Sequence, residues 1–267
     1  MITVVAVSGH ATVQDGGRPG HMHEGVPPGG PLVPELLARA NAAVGNEDDE
    51  AGLELFGDLT LVGTAATLVA SDDGVPVVLG TREPWRVFGG GARVRYVAVR
   101  GGIDVRRVLG GRGTLVGAGL GGLEGRALRG GDVLRVREPG TPRRGPPPAA
   151  PDLEAPIRVL PGPDLERFDP GALDVLLSTE LRIDPRSDRV GIRLTGPTLR
   201  RLGDDLGVSS PMVRGAIQVP LSGAPIVLGP DHPTTGGYPV LATVVTASLG
   251  ALGARPVGAA VRFITVP

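Results

Sequence analysis

The sequence predicts a mainly β protein: two barrel-like lobes with a few short helices. Three observations carry that expectation. Apolar residues make up 41% of the 267 and arrive mostly in short, β-branched runs. Glycine (44) and proline (27), more than a quarter of the chain together, separate those runs with turn chemistry. A proline-rich stretch from Pro139 to Pro156 then divides the runs into two sets.

Along the chain, "ITVVAV" opens as a strand. "QDGGRPGHMHEGVPPGGP" follows and holds too much Gly and Pro for regular structure. "PELLARANAAVGN" reads as a helix, with Pro34 in its first turn, Leu36, Leu37, Ala40, Ala43 and Val44 on one apolar face, and Gly45 and Asn46 as its stop. "LTLVG", "ATLVAS", "VPVVLG", "WRVFGG" and "VRYVAV" are strands. The glycine-rich loops "GGIDVRRVLGGRGT" and "GAGLGGLEGRALRGGD" lead to a last strand, "VLRVRE". Residues 1–138 therefore form a first lobe, 139–156 a linker and 157–267 a second lobe. In that second lobe "IRVLPGP" is a strand, "GALDVLLSTEL" a short helix, and "SDRVGIRLTGP" a polar turn into a strand. "TLRRLGDDLG" is ambiguous, and "GAIQVP", "PIVLG", "LATVV" and "VRFITVP" are strands.

Composition removes whole classes of function. Lys+Arg (27) nearly balance Asp+Glu (28), and aromatic residues are 3%, so nothing marks a nucleic-acid surface. There is no cysteine, hence no disulfide, thiolate nucleophile or Cys-ligated metal. There is no lysine either, which excludes a Schiff base, a Walker-type lysine and biotin attached to this chain. No apolar stretch is long enough for a membrane span, and the N-terminus lacks the basic region of a signal peptide. The expected location is the cytoplasm.

The densest chemistry lies in "GPDHPTTGGYPV", 229–240. Between two apolar runs it sets Asp231, His232, Thr234, Thr235, Gly236, Gly237 and Tyr238, far more than a hairpin turn requires. Consecutive glycines can aim adjacent N–H groups at an anion, and the hydroxyls add further donors. The alternative is a tight turn whose polar groups satisfy their own backbone. Arg189 and Arg193 stand four apart, which in an extended segment places them on one face, suited to a carboxylate. Surface arginines of little consequence are the other reading. Gln218 sits in an apolar strand and must find partners in backbone or in a ligand. Asp15 and Arg18 suit a local ion pair that structures the first loop, and His21, His23 and Glu24 are more simply solvated than metal ligands. No G-x-G-x-x-G, P-loop or G-x-S-x-G pattern is present.

Taken together, "TVQDGGRPG", "LLARANAAVGN", "YVAVRGGIDV", "GLEGRALRGGDVL", "SDRVGIRLTGP", "GAIQVP" and "DHPTTGGYPV" resemble, in order and over nearly the whole chain, the biotin-dependent carboxyltransferase family. The family is also called allophanate hydrolase subunit 2 or the 5-oxoprolinase C subunit. The resemblance implies cyclophilin-like β-barrels and a B-type partner whose cleft is shared with this chain. It implies a component of ATP-dependent 5-oxoprolinase, acting with the A and B components to open 5-oxoproline to glutamate, with ATP used by a partner. The alternatives it leaves are the carboxyltransferase component of a biotin-dependent urea or amide carboxylase, with biotin brought in trans, or a non-catalytic regulator of a B-like, kinase-inhibitor-like protein. On this reading Asp231, His232 and Tyr238 are catalytic. Thr234, Thr235, Gly236, Gly237, Arg189, Arg193 and Gln218 bind substrate, and no metal is used. The sequence departs from the family pattern at Gly16, where leucine is usual, at Val33, where aspartate is usual, and at Pro233, where glutamine is usual. Ser248, Gly253 and Ala259 replace further polar positions.

Overall fold

The computed structural model describes residues 1–143, 145–203 and 207–266; within "TLRRLGDDLG", 204–206 lie outside the described residues. The described chain is mainly β, with three α-helices, and divides into two compact units, Met1–Pro19 with Gly29–Pro151 and Gly20–Pro28 with Asp152–Pro267. Each has its own apolar core.

The first unit is built on β1 (Ile2–Gln14), β2 (Gly52–Gly63), β3 (Thr67–Ser71), β4 (Pro76–Leu79), β5 (Trp85–Val87), β6 (Arg95–Val99) and β7 (Val133–Leu134). The strands form one sheet in the order β4-β3-β6-β2-β1-β7, with β5 also on β2. All their pairings are antiparallel. Ile2, Val4, Val13, Leu53, Leu55, Leu61, Val97 and Val99 fill its core. β1 and β2 pair almost end to end, with Gly9 opposite Gly57. A Cβ on Gly9 would lie 2.0 Å from the Phe56 carbonyl oxygen, and one on Gly57 would lie 1.9 Å from that of Ser8. Only glycine fits either place.

The helix read from "PELLARANAAVGN" is α1 (Pro34–Ala43). Its buried face is Leu37, Ala38, Ala40 and Asn41, one step round from the face expected, and Leu36 and Ala43 are only half-buried. Asn41 is tolerated there because its amide donates to the Glu50 carbonyl at 2.8 Å. At the N-terminus Val33 offers no capping side chain. The buried Glu54 carboxylate substitutes: its Oε2 accepts from the Leu32 N–H at 2.7 Å and from the Tyr96 hydroxyl at 2.6 Å. That hydroxyl in turn accepts from the Val33 N–H at 2.9 Å. The N-cap N–H and the one before it are satisfied this way, beside a negative charge that suits the helix dipole. The proline-rich stretch is fastened to this unit: Arg143 bonds the Asp48 carboxylate, and Arg39 donates to the Pro148 carbonyl at 2.9 Å.

The second unit contains β8 (Ile157–Pro161), α2 (Ala172–Ser178), β9 (Leu181–Ile183), β10 (Gly191–Thr195), β11 (Ser210–Pro211), β12 (Ala216–Gln218), β13 (Ile226–Leu228), β14 (Thr235–Gly236), β15 (Val240–Val244), α3 (Thr246–Ala254), β16 (Ala260–Val261) and β17 (Phe263–Thr265). Eight strands make one sheet, β16-β9-β10-β13-β12-β15-β8-β17, and β11 pairs with β14 as a separate ribbon. The helix α3 was not legible in "TASLGALGA", where two glycines weaken helical propensity; burial of Ser248, Gly250, Leu252 and Gly253 holds it instead.

Candidate functional site

Topology explains why 229–240 is so polar. β13 and β15, the runs on either side, do not pair with each other but flank β12. The segment is therefore a crossing over β12, with room for an arm, and not a hairpin turn. Thr235 and Gly236 form the outer strand of that arm against Ser210 and Pro211, and the Met212 N–H donates to the Thr234 carbonyl at 2.9 Å.

The base of the crossing is zipped to the turn before β10. The Asp188 carboxylate accepts from the N–H groups of Val190 and Gly191, both at 2.9 Å, which ends the turn and starts the strand at Gly191. The Gly229 N–H donates to the Val190 carbonyl at 2.9 Å, and the Asp231 N–H donates to that of Arg189 at 3.1 Å. The approach is so close that a Cβ on Gly229 would stand 2.2 Å from the Arg189 carbonyl oxygen. This clamp brings Arg189 and Asp231 into a bidentate pair, Nε to Oδ2 and Nη2 to Oδ1.

The pairing corrects one sequence expectation. Arg189 and Arg193 do not share a face, because strand geometry begins only at Gly191: Arg189 is buried against Asp231, while Arg193 stands exposed on β10. The charge of Arg189 is balanced inside the protein, and both oxygens of Asp231 are engaged. The two residues brace the loop.

His232 follows, with 1% exposure. Its Nδ1 lies 2.7 Å from the Pro233 carbonyl oxygen, which can only accept, so Nδ1 carries the proton. Its Nε2 is buried without a partner. Gln218 lies under the arm; its amide nitrogen is 3.0 Å from Met212 Sδ and donates to the Tyr238 carbonyl at 3.3 Å. A Cβ on Gly236 would come 2.9 Å from that nitrogen, so glycine lets the arm lie flat on Gln218 and Met212. Thr235 and Tyr238 are exposed, and Thr234, Gly236 and Gly237 half-buried. The hydroxyls of Thr234, Thr235 and Tyr238 meet no protein partner among the described residues and are accessible to water.

A second polar place lies in the first unit. The Asp15 carboxylate accepts from the N–H groups of Gly17 (3.0 Å), Gly113 (2.9 Å) and Arg112 (2.5 Å). Arg18, 1% exposed, donates to the carbonyls of Val108 and Gly113. The sequence suggests an ion pair between these two within their own loop; the bonds seen run instead to backbone groups, and most of them fasten a distant loop, 108–113. The result is a cleft of about 240 Å³ lined by Gly16, Asp49, Glu50, Arg107, Gly110 and Arg112 among others. Asp49, Arg107 and Arg112 were missed by sequence reasoning, since no motif connects them. Burial, then the neighbouring Arg137 and Arg107, holds Arg112 below the ordinary arginine pKa.

Elsewhere, His21 pairs with Glu24 at 2.7 Å in a 3-10 turn, Met22–Glu24. Among the described residues no group of three or more His, Asp or Glu is placed to hold a metal, and no helix is long and apolar enough to cross a membrane. Ser248 accepts from the Arg158 N–H at 3.2 Å. Gly253 is buried in α3, and Ala259 lies in the turn that follows it.

The family model described as carboxyltransferase domain, subdomain A and B, matches residues 84–265. The C subunit of 5-oxoprolinase from Escherichia coli (strain K12) is 34% identical over 291 residues, which cover 99% of this chain and 91% of that one. Urea amidolyase of Lachancea kluyveri is 30% identical, over 98% of this chain but 17% of its own. The crystal structure of the K. lactis urea amidolyase superposes with a TM-score of 0.82 at 27% identity, over 100% of this chain and 19% of that one. The chain thus spans nearly all of the 5-oxoprolinase relative and a small part of the urea amidolyases.

Proposed function

Since this chain belongs to the carboxyltransferase domain family, we propose that it is the C-type component of an ATP-dependent 5-oxoprolinase. In this role it acts with A-like and B-like partners to open 5-oxoproline to glutamate. The observation that carries this reading is the end-to-end correspondence with the 5-oxoprolinase C component, which matches in length as well as in sequence. On this reading ATP is used by a partner, and the chain, which has no lysine, has no P-loop of its own.

On this reading the arm over β12 is this chain's share of the site. Thr234, Thr235 and Tyr238 supply hydroxyls with no protein partner among the described residues, and Gly237 supplies a backbone N–H; the Gly236 N–H, expected from the sequence to bind substrate, is taken up by the ladder with Ser210. A lactam or carboxylate presents acceptors that fit such a donor set. His232 offers the Nε2 that could take or return a proton. Arg189 and Asp231 hold the loop that carries them. Arg193 has an exposed guanidinium with no hydrogen-bonded partner among the described residues, as do Arg158 and Arg200.

The likeness to the urea amidolyases favours a second reading, the carboxyltransferase component of a biotin-dependent urea or amide carboxylase. Without a lysine the chain cannot carry biotin itself, so the group would come from a partner. The hydroxyls of Thr234 and Thr235 are donors that suit a ureido carbonyl, and biotin already carboxylated on a partner would, if held there, supply that carboxyl group and leave as biotin.

The deciding experiment is reconstitution with the A-like and B-like proteins. ATP-dependent loss of 5-oxoproline, requiring all three chains, is the expected result. A complete complex that leaves 5-oxoproline untouched but carboxylates urea or an amide would replace the first reading with the second.

A further inference from the structure

We propose that the cleft of the first unit is a binding site for a small α-amino acid, independent of the arm in the second unit. Two guanidinium groups of its lining lack hydrogen-bonded partners among the described residues. Most ionic groups around the cleft are already engaged. Three backbone N–H groups hold the Asp15 carboxylate. Both Glu50 oxygens accept from Arg137 Nη1, at 3.0 and 2.9 Å. Arg107 and Arg112 are different: neither guanidinium has a hydrogen bond or ion pair among the described residues, although both line the cleft. Arg112 is the more costly, because its Nε is buried with nothing to donate to. A carboxylate, planar and bidentate, is the ligand such groups recognise.

Asp49 narrows the class. It is exposed, has no partner among the described residues, and stands beside Gly16, where a Cβ would lie 3.0 Å from its Oδ2. The charged groups left without a hydrogen-bonded partner among the described residues are thus two guanidinium groups and one carboxylate; Asp15, held by backbone N–H groups, adds a further negative charge to the lining. A phosphate dianion would set its second charge against Asp49, whereas an amino acid would give Arg107 and Arg112 its carboxylate and Asp49 its ammonium. Gly16 and Gly110 keep the space open; a Cβ on Gly110 would meet nothing within 4 Å.

The test is titration of the full-length chain with L-glutamate, acetate and inorganic phosphate, read by amide shifts at Gly16, Gly17 and Gly110 and by calorimetry. Saturable L-glutamate binding is expected, weakened about tenfold by Arg112→Ala or Arg107→Ala. Gly16→Leu should block the cleft with no change of charge. Asp49→Asn should weaken L-glutamate and leave acetate unchanged or tighter. The arginine substitutions remove no side-chain hydrogen bond within the fold, so the variants should melt like the parent. Absence of saturable binding, L-glutamate binding indifferent to Arg112→Ala and Arg107→Ala, or phosphate binding tighter than L-glutamate would each overturn the proposal.

Discussion

Arg189 and Asp231 grip each other through two parallel hydrogen bonds of 2.7 Å, with side-chain exposures of 7% and 10%. Removing one partner of such a pair strands the other charge away from water. Asp231→Asn should therefore lower unfolding stability by about 3 kcal/mol in urea titration. Replacing both residues with apolar side chains of similar size should recover much of that loss. A single substitution that costs almost nothing would mean Arg189 is not held by this carboxylate.

An acid-sensitive contact lies at the end of β9. The Asp184 carboxylate accepts from the Arg186 guanidinium at 2.9 and 2.7 Å and from the Arg186 N–H at 2.8 Å. These bonds, the side-chain pair first, hold its pKa down from 3.8 to about 2. A carboxylate depressed on folding stabilises above its unfolded value and loses that contribution as pH falls through its folded value. Stability should thus fall between about pH 4 and pH 2, and Asp184→Asn should flatten this part of the curve. An unchanged acid limb in the variant would assign the loss to other groups.

Tyr96 is the hinge of the α1 start, donating to Glu54 and accepting from the Val33 N–H. Tyr96→Phe leaves a buried N–H unpaired and the carboxylate one donor short. The expected cost is about 1–3 kcal/mol in equilibrium unfolding. A neutral result would show that water or backbone replaces the hydroxyl.

Thr235 stands exposed on the arm with no protein partner for its hydroxyl among the described residues. Thr235→Ala should leave the melting temperature and assembly intact while cutting 5-oxoproline turnover by about tenfold or more. Loss of assembly, or full turnover, would remove the arm from the chemistry.

Avidin separates the two functional readings. If turnover uses no biotin, excess avidin should leave ATP-dependent 5-oxoproline consumption unchanged. Abolition by avidin, reversed when free biotin is added with it, would make the carboxyl-carrier reading the correct one.

The sequence by itself determined the β-rich class, most of the strands, α1 and its stop, and, through its ordered motifs, the family. These are local or cumulative signals: β-branched runs, glycine turns, a 3.6-residue apolar period, and the absence of lysine and cysteine. It also located the polar segment over β12. It did not reveal α3, whose two glycines oppose helix locally and whose burial overrides them. Nor did it show that Arg189 belongs to Asp231, since that pairing depends on where β10 begins and on Gly229 meeting the Arg189 backbone. The cleft around Arg107, Arg112 and Asp49 was equally hidden. Its charges come from three separate segments, and whether an arginine is paired or free is decided by which loops tertiary packing brings together, which no spacing along one chain encodes.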